Sequence, residues 1–121
     1  VTGVQTCALP IWYIGLREAD CSYNVYSRDD SSFDMVYEFQ ETEKNIKVYD
    51  TEIFYNNESQ SGNGFNVTKE YFYFDDNGNS HKVSNTVPFI LKGHKMLVRY
   101  HIEGGQETPN IYKTRVKYKL A

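Results

Sequence analysis

The chain has 121 residues, is 40% hydrophobic and 16% aromatic, and carries a formal net charge of −3. That is one domain's worth of chain with enough apolar side chains for a modest core, which excludes an intrinsically disordered segment. Eleven Tyr and seven Phe favour pleated surfaces over helices, and the acidic balance argues against a nucleic-acid module, since such modules are usually basic.

In chain order the first segment is Val1-Thr-Gly-Val-Gln-Thr-Cys7-Ala-Leu-Pro-Ile11. It resembles the translation of a common sequencing adapter. The adapter leaves a dangling T, and the Trp12 codon begins with T. The resemblance implies a non-biological segment, a true N-terminus lost upstream, and an assembled environmental fragment. It also implies that residues 1–11 stand apart from the β core. Removing eleven residues from 121 leaves 110, and the charge stays at −3 because the segment has no Asp, Glu, Lys or Arg. Cys7 goes with it, which leaves Cys21 as a lone thiol and no disulfide. The apolar run from Cys7 to Leu16 then shrinks to Trp12-Tyr-Ile-Gly-Leu16, too short for a signal core or a membrane span. It reads as a strand or as the end of a longer apolar segment lost upstream. The expected organisation is a single β domain over 12–121, with 12–44 holding incomplete N-terminal strands and 45–121 the best-defined part.

Period-two alternation marks the strands. Met35, Tyr37 and Phe39 share one face, with Asp34, Glu38 and Gln40 on the other. Asn45–Tyr55 is a second strand, with a bulge or face change expected at Asp50-Thr51-Glu52. Glu41–Lys47 has room for one helical turn. Asn56–Gly64 is polar and reads as a loop. Asn66–Asp75, with Tyr71-Phe72-Tyr73-Phe74, is aromatic on both faces, which predicts a central strand covered on both sides. Asn77-Gly78 predicts a type I′ hairpin turn into a return strand at Ser80–Ser84. After Pro88 and a Lys92-Gly93-His94 turn, Lys95–Ile102 alternates with Met96, Val98, Tyr100 and Ile102 inward. A loop follows to Pro109. Asn110–Leu120 then alternates with Tyr112, Val116, Tyr118 and Leu120 inward. The predicted class is all-β, a small antiparallel barrel or sandwich of five to seven strands built from hairpins.

Four motifs carry a second resemblance: Thr51-Glu-Ile-Phe-Tyr-Asn-Asn57, Tyr71-Phe-Tyr-Phe-Asp-Asp-Asn-Gly-Asn79, Gly93-His-Lys-Met-Leu-Val-Arg-Tyr100 and Pro109-Asn-Ile-Tyr-Lys113. With them, residues 48–116 resemble a family of small all-β domains of unknown function. Its members often sit beside transmembrane helices in bacterial and related envelope proteins. His94 stands where that pattern has an acidic residue, and residues 100–109 replace its usual Tyr-x-Pro-x-Asn-Pro loop. The resemblance implies a non-catalytic module near a membrane, in the cell envelope or outside the cell, and brings no catalytic residues.

Candidate chemistry is sparse. Asp75, Asn77 and Asn79 open like a calcium loop, but positions six and twelve are Ser80 and Thr86 instead of Gly and Glu. A hairpin turn explains them. His81, His94 and His101 lack zinc-ligand spacing, and His101 alternates onto the polar, solvent-facing side. Cys21 with a distant histidine has no nucleophile signature around it, and no Gly-x-Ser-x-Gly, P-loop or dinucleotide motif occurs. The expectation is therefore no enzyme, no cofactor and no metal. Asn57 and Asn66 open glycosylation sequons of the kind that ten Asn produce by chance.

The charge split is more informative. Residues 12–60 carry eleven acidic and four basic side chains, a net of −7, and residues 61–121 five and nine, a net of +4. The basic excess falls on Lys95, Arg99, Lys113, Arg115, Lys117 and Lys119, outward on the last two strands. If those strands pair, they make one basic face for an anionic ligand, nucleic acid or anionic lipid. Otherwise the cations face the acidic N-terminal half or guard strand edges. Tyr-rich faces suggest a third option, a glycan-binding adhesin-like domain. The leading expectation is a structural or interaction module with a membrane-proximal or protein partner.

Overall fold

A computed structural model describes residues 5–9, 15–22, 32–39, 45–55, 65–84, 86–104 and 111–120. They form nine strands: β1 (Gln5–Leu9), β2 (Arg17–Ser22), β3 (Ser32–Phe39), β4 (Ile46–Tyr55), β5 (Phe65–Phe74), β6 (Ser80–Ser84), β7 (Phe89–Leu91), β8 (Lys95–Gly104) and β9 (Ile111–Leu120). One sheet has the order β1-β3-β8-β5-β6, the other β2-β9-β4-β7. The all-β class is as expected, and the two open sheets face one another as a sandwich. Hairpins do not build it: among the paired strands only β5 and β6 are consecutive in the chain.

The inward positions of the alternating segments meet between the sheets. Met35, Tyr37, Tyr71, Met96, Val98 and Tyr100 from the larger sheet pack with Ile46, Val48, Ile111, Val116 and Tyr118 from the smaller. Phe39 meets Tyr118 edge-on at 4.8 Å between ring centroids, and Tyr71 meets Phe89 at 5.0 Å. Burying one such aromatic side chain contributes about 2–3 kcal/mol.

Several expectations need correction. Residues Gln5–Leu9 do not stand apart. β1 pairs in parallel with β3, Leu9 is buried in the core, and Cys7 forms a disulfide with Cys21. The lone thiol expected at Cys21 is therefore absent. The physical reason is the free backbone edge of β3: any short extended segment with an apolar inward residue satisfies it. β2 and the three-residue β7 were also not expected, being too short or too polar to announce themselves. β5 is not covered on both sides. Phe72 and Phe74 lie half-buried on the outer face, where Arg99 and Lys95 cover their rings at 5.3 and 5.8 Å. The β5–β6 turn is not type I′, because Asn77 has negative φ and only Gly78 (φ 84°) is left-handed. It is a type I turn closed by Gly78, whose N–H donates to the Asp75 carbonyl at 3.0 Å. The β4 bulge falls between Val48 and Asp50, one residue before the place read from sequence. Tyr112 faces out, 40% exposed, because a second irregularity between Phe54 and Tyr55 brings Ile111 inward instead. The segment with room for a helical turn is strand from Ile46 onward, residues 41–44 and the 56–64 loop lying outside the described residues.

Candidate functional site

The interior holds a belt of hydroxyls between the sheets. The Tyr37 hydroxyl on β3 donates to Thr114 Oγ1 on β9 at 2.8 Å and lies 2.7 Å from the Tyr100 hydroxyl on β8. Thr51 on β4 reaches the Tyr100 hydroxyl and lies 3.2 Å from that of Tyr71 on β5. Five hydroxyls thus bridge both sheets, and each buried one finds a partner, as a buried polar group must. Burial pushes the Tyr37 phenol up to about 12 and the Tyr100 phenol well above its usual value. Tyr71 is raised for the same reason. Two further ties flank the belt. The Cys7–Cys21 disulfide joins β1 of one sheet to β2 of the other. Beyond the belt, Lys69 on β5 points inward to Asp50 (3.3 Å) and to the Thr51 carbonyl on β4.

The outer faces behave differently. The six cations expected to form one basic face do not share a sheet. Lys95 and Arg99 lie on β8, in the larger sheet; Lys113, Arg115, Lys117 and Lys119 lie on β9, in the smaller. The single face conditional on pairing of these strands is therefore not formed. Strand order explains this: β9 is inserted between β2 and β4, which bring Glu18, Asp20, Asp50 and Glu52 of the acidic N-terminal half beside it. Asp20 binds Arg115 Nε at 2.7 Å and Lys113 at 3.0 Å. Glu18 stands 3.6 Å from Lys117 and 3.9 Å from Arg115, and Glu52 lies 3.9 Å from Lys117. Lys113 and Arg115 also flank the Phe54 ring, at 4.7 and 4.9 Å. The Arg115 guanidinium holds the Asp20 carboxyl at about 2. On the larger sheet Asp34 grips Arg99 with two bonds, 2.9 and 3.1 Å, and Glu38 lies 3.9 Å from Lys95. Lys119 is the exception. It sits opposite Lys47 of β4, and neither has a carboxylate in ion-pair range among the described residues.

Two of the three histidines, His101 and His81, are tied to carboxylates. His101 Nε2 lies 2.7 Å from Glu70, which also holds Lys82 at 3.0 Å; the His101 contact lowers the Glu70 carboxyl to about 2. His81 lies 2.6 Å from Asp75 and lowers its carboxyl. Asp75 Oδ1 accepts the N–H groups of Asn77 and Asn79, so the segment read against a calcium loop uses its carboxylate to hold a turn. Two open surface hollows, of about 770 and 660 Å³, lie beside Lys69, Glu70 and His101 and beside Val36, Phe74 and Lys95.

Sequence reasoning missed Thr51, Thr114 and Lys69. Thr114 was legible: it shares the parity of Val116 and Tyr118. Lys69 was not, because an inward lysine between Val67 and Tyr71 looks like a break in the pattern. No protein-family profile matches this chain, and no curated protein is significantly similar to it.

Proposed function

We propose that the chain is a non-catalytic structural or interaction module of the cell envelope or extracellular space. The observation that carries this reading is where the polar groups go. Interior hydroxyls bridge one sheet to the other, and most charged side chains described above, with His81 and His101, are committed to neighbouring groups. Such an arrangement fixes a scaffold and leaves its surface for contacts. The Cys7–Cys21 disulfide supports the envelope placement, since disulfides persist in oxidising compartments.

The adapter origin of residues 1–11 remains a proposal alongside this one. If the segment is adapter-derived, Cys7 and the disulfide fall with it, and envelope placement rests on the domain resemblance alone. Gene sequence read across this position tests both. An apolar span of roughly twenty residues upstream of Trp12 supports a membrane-proximal module. Continuous coding sequence without adapter removes the adapter proposal. For the chain as it stands, the test is maleimide labelling after export to an oxidising compartment and after retention in the cytosol. Oxidised, protease-resistant protein is expected only on export. A reduced cytosolic chain of equal resistance would remove the support.

A further inference from the structure

One end of the smaller sheet departs from the ion-pair pattern. On its outer face Lys119 of β9 stands directly opposite Lys47 of β4, and Lys47 stands opposite Ile90 of β7. The β2–β9 ladder ends at Arg17 opposite Tyr118, and Leu16 directly precedes it, outside the ladder at the Lys119 end. The order across the sheet is Lys119, Lys47, Ile90, with Leu16 flanking the Lys119 end from the residue before β2. Leu16 is 58% exposed and Ile90 45%, two of the three exposed large apolar residues among those described. Like charges facing across a strand pair are destabilising. The neighbouring cations of β9 escape that cost through Asp20, Glu18 and Glu52. Lys47 and Lys119 do not; the Lys47 ammonium lies 5.2 Å from the Tyr49 ring centroid instead.

From this row we infer that Leu16, Lys119, Lys47 and Ile90 form a contact for an anionic lipid surface. The lysines match the headgroup charge, and the two aliphatic side chains enter the headgroup boundary on either side. The partner is a membrane surface because the row pairs cations with exposed aliphatic groups. A phosphate backbone would use the cations and leave the aliphatic groups idle. The protein's own net charge of −3 does not oppose this at physiological salt, where charges beyond about 8 Å are largely screened. The inference rests on the envelope reading above and names the surface that such a module would meet.

Two lysines and two aliphatic groups make a weak contact, so the test uses excess lipid. The full chain is sedimented with vesicles of phosphatidylcholine alone and of phosphatidylcholine with phosphatidylglycerol. Binding only to the anionic vesicles, lost in high salt, is expected. Lys47→Gln with Lys119→Gln should weaken it roughly thirtyfold, about fivefold per lysine. Ile90→Ser should weaken it further. Thermal melting of the double variant should be unchanged or higher, because a like-charge pair is removed. Lys113→Gln with Lys117→Gln, at paired cations, should bind as the parent does. Equal binding to neutral vesicles, no binding, or equal loss in the control variant overturns the inference. So does a DNA duplex that competes on equal terms. If a variant fails to fold, the unaltered chain still decides the matter: anionic-vesicle binding that survives high salt overturns the inference. Failure here with an oxidised, exported protein removes the lipid contact alone, whereas a reduced cytosolic protein that still binds vesicles removes the envelope placement alone.

Discussion

The inner and outer faces of these strands use polar groups in opposite ways. Outside, charges join neighbouring strands within a sheet, as Asp34 joins Arg99 and Asp20 joins Arg115. Inside, hydroxyls, a disulfide and one lysine join one sheet to the other. The difference lies in the solvent. An exposed ion pair contributes about 0–1 kcal/mol, because water already solvates both partners. A buried hydroxyl that loses its partner costs about 1–3 kcal/mol, because nothing replaces the bond. The ties between sheets should therefore dominate stability, although the ladders hold more of the charged residues.

The strongest test of that contrast is reduction of the disulfide, or Cys7→Ser with Cys21→Ser. The cysteines are 14 residues apart, and a loop of that size corresponds to about 3 kcal/mol. Denaturant melts with and without reductant measure it; a change under ~1 kcal/mol would contradict it. Tyr37→Phe comes next. It strips Thr114 and Tyr100 of one partner each and should cost about 1–3 kcal/mol by the same assay.

Alkaline pH separates the faces further. The buried phenols have pKa values raised above those of the unfolded chain, to about 12 for Tyr37. Their contribution is complete below the unfolded value near 10 and is lost as pH rises through the folded one. Tyrosinate absorbance should therefore climb cooperatively with unfolding in that range. A smooth titration of all tyrosines near 10 would sink the prediction. Acid acts on the outer ladders. Asp20 and Glu70 titrate near 2 when folded, and Asp75 is lowered. Their stabilisation is present at neutral pH and is lost as pH falls from the ordinary carboxylate range toward 2. The smallest expected effect is Asp20→Asn, under about 1 kcal/mol and absent at high salt. A larger, salt-independent loss would erase the contrast between the faces.

Much of this was legible. The alternation of β3, β8 and β9 placed Met35, Tyr37, Val98, Tyr100 and Tyr118 inward, and each is buried. The turn at Gly78 was visible from Asn-Gly, although not its type. The pairing of β9 was hidden, because strand order is not written in local pattern. For that reason Lys113, Arg115 and Lys117 looked like a free basic face, when β2 and β4 bring carboxylates to each. The exception at Lys119 needed the register with Lys47. The link between β1 and β2 was hidden for a different reason: residues 1–11 resemble an adapter translation, and that resemblance removed Cys7 from the count.

The strand order also bears on how the chain reaches this state. β9, the last strand in chain order, lies at the centre of the smaller sheet, between β2 and β4. Until it is made, those two strands have no common neighbour, and half of the sandwich cannot assemble. The β5–β6 hairpin is free to form in microseconds from local sequence, whereas the smaller sheet must wait for loop closures spanning most of the chain. Folding should thus be slow and dependent on β9. A ribosome-bound chain lacking β9 would leave the β9-facing backbone edges of β2 and β4 unpaired and aggregation-prone.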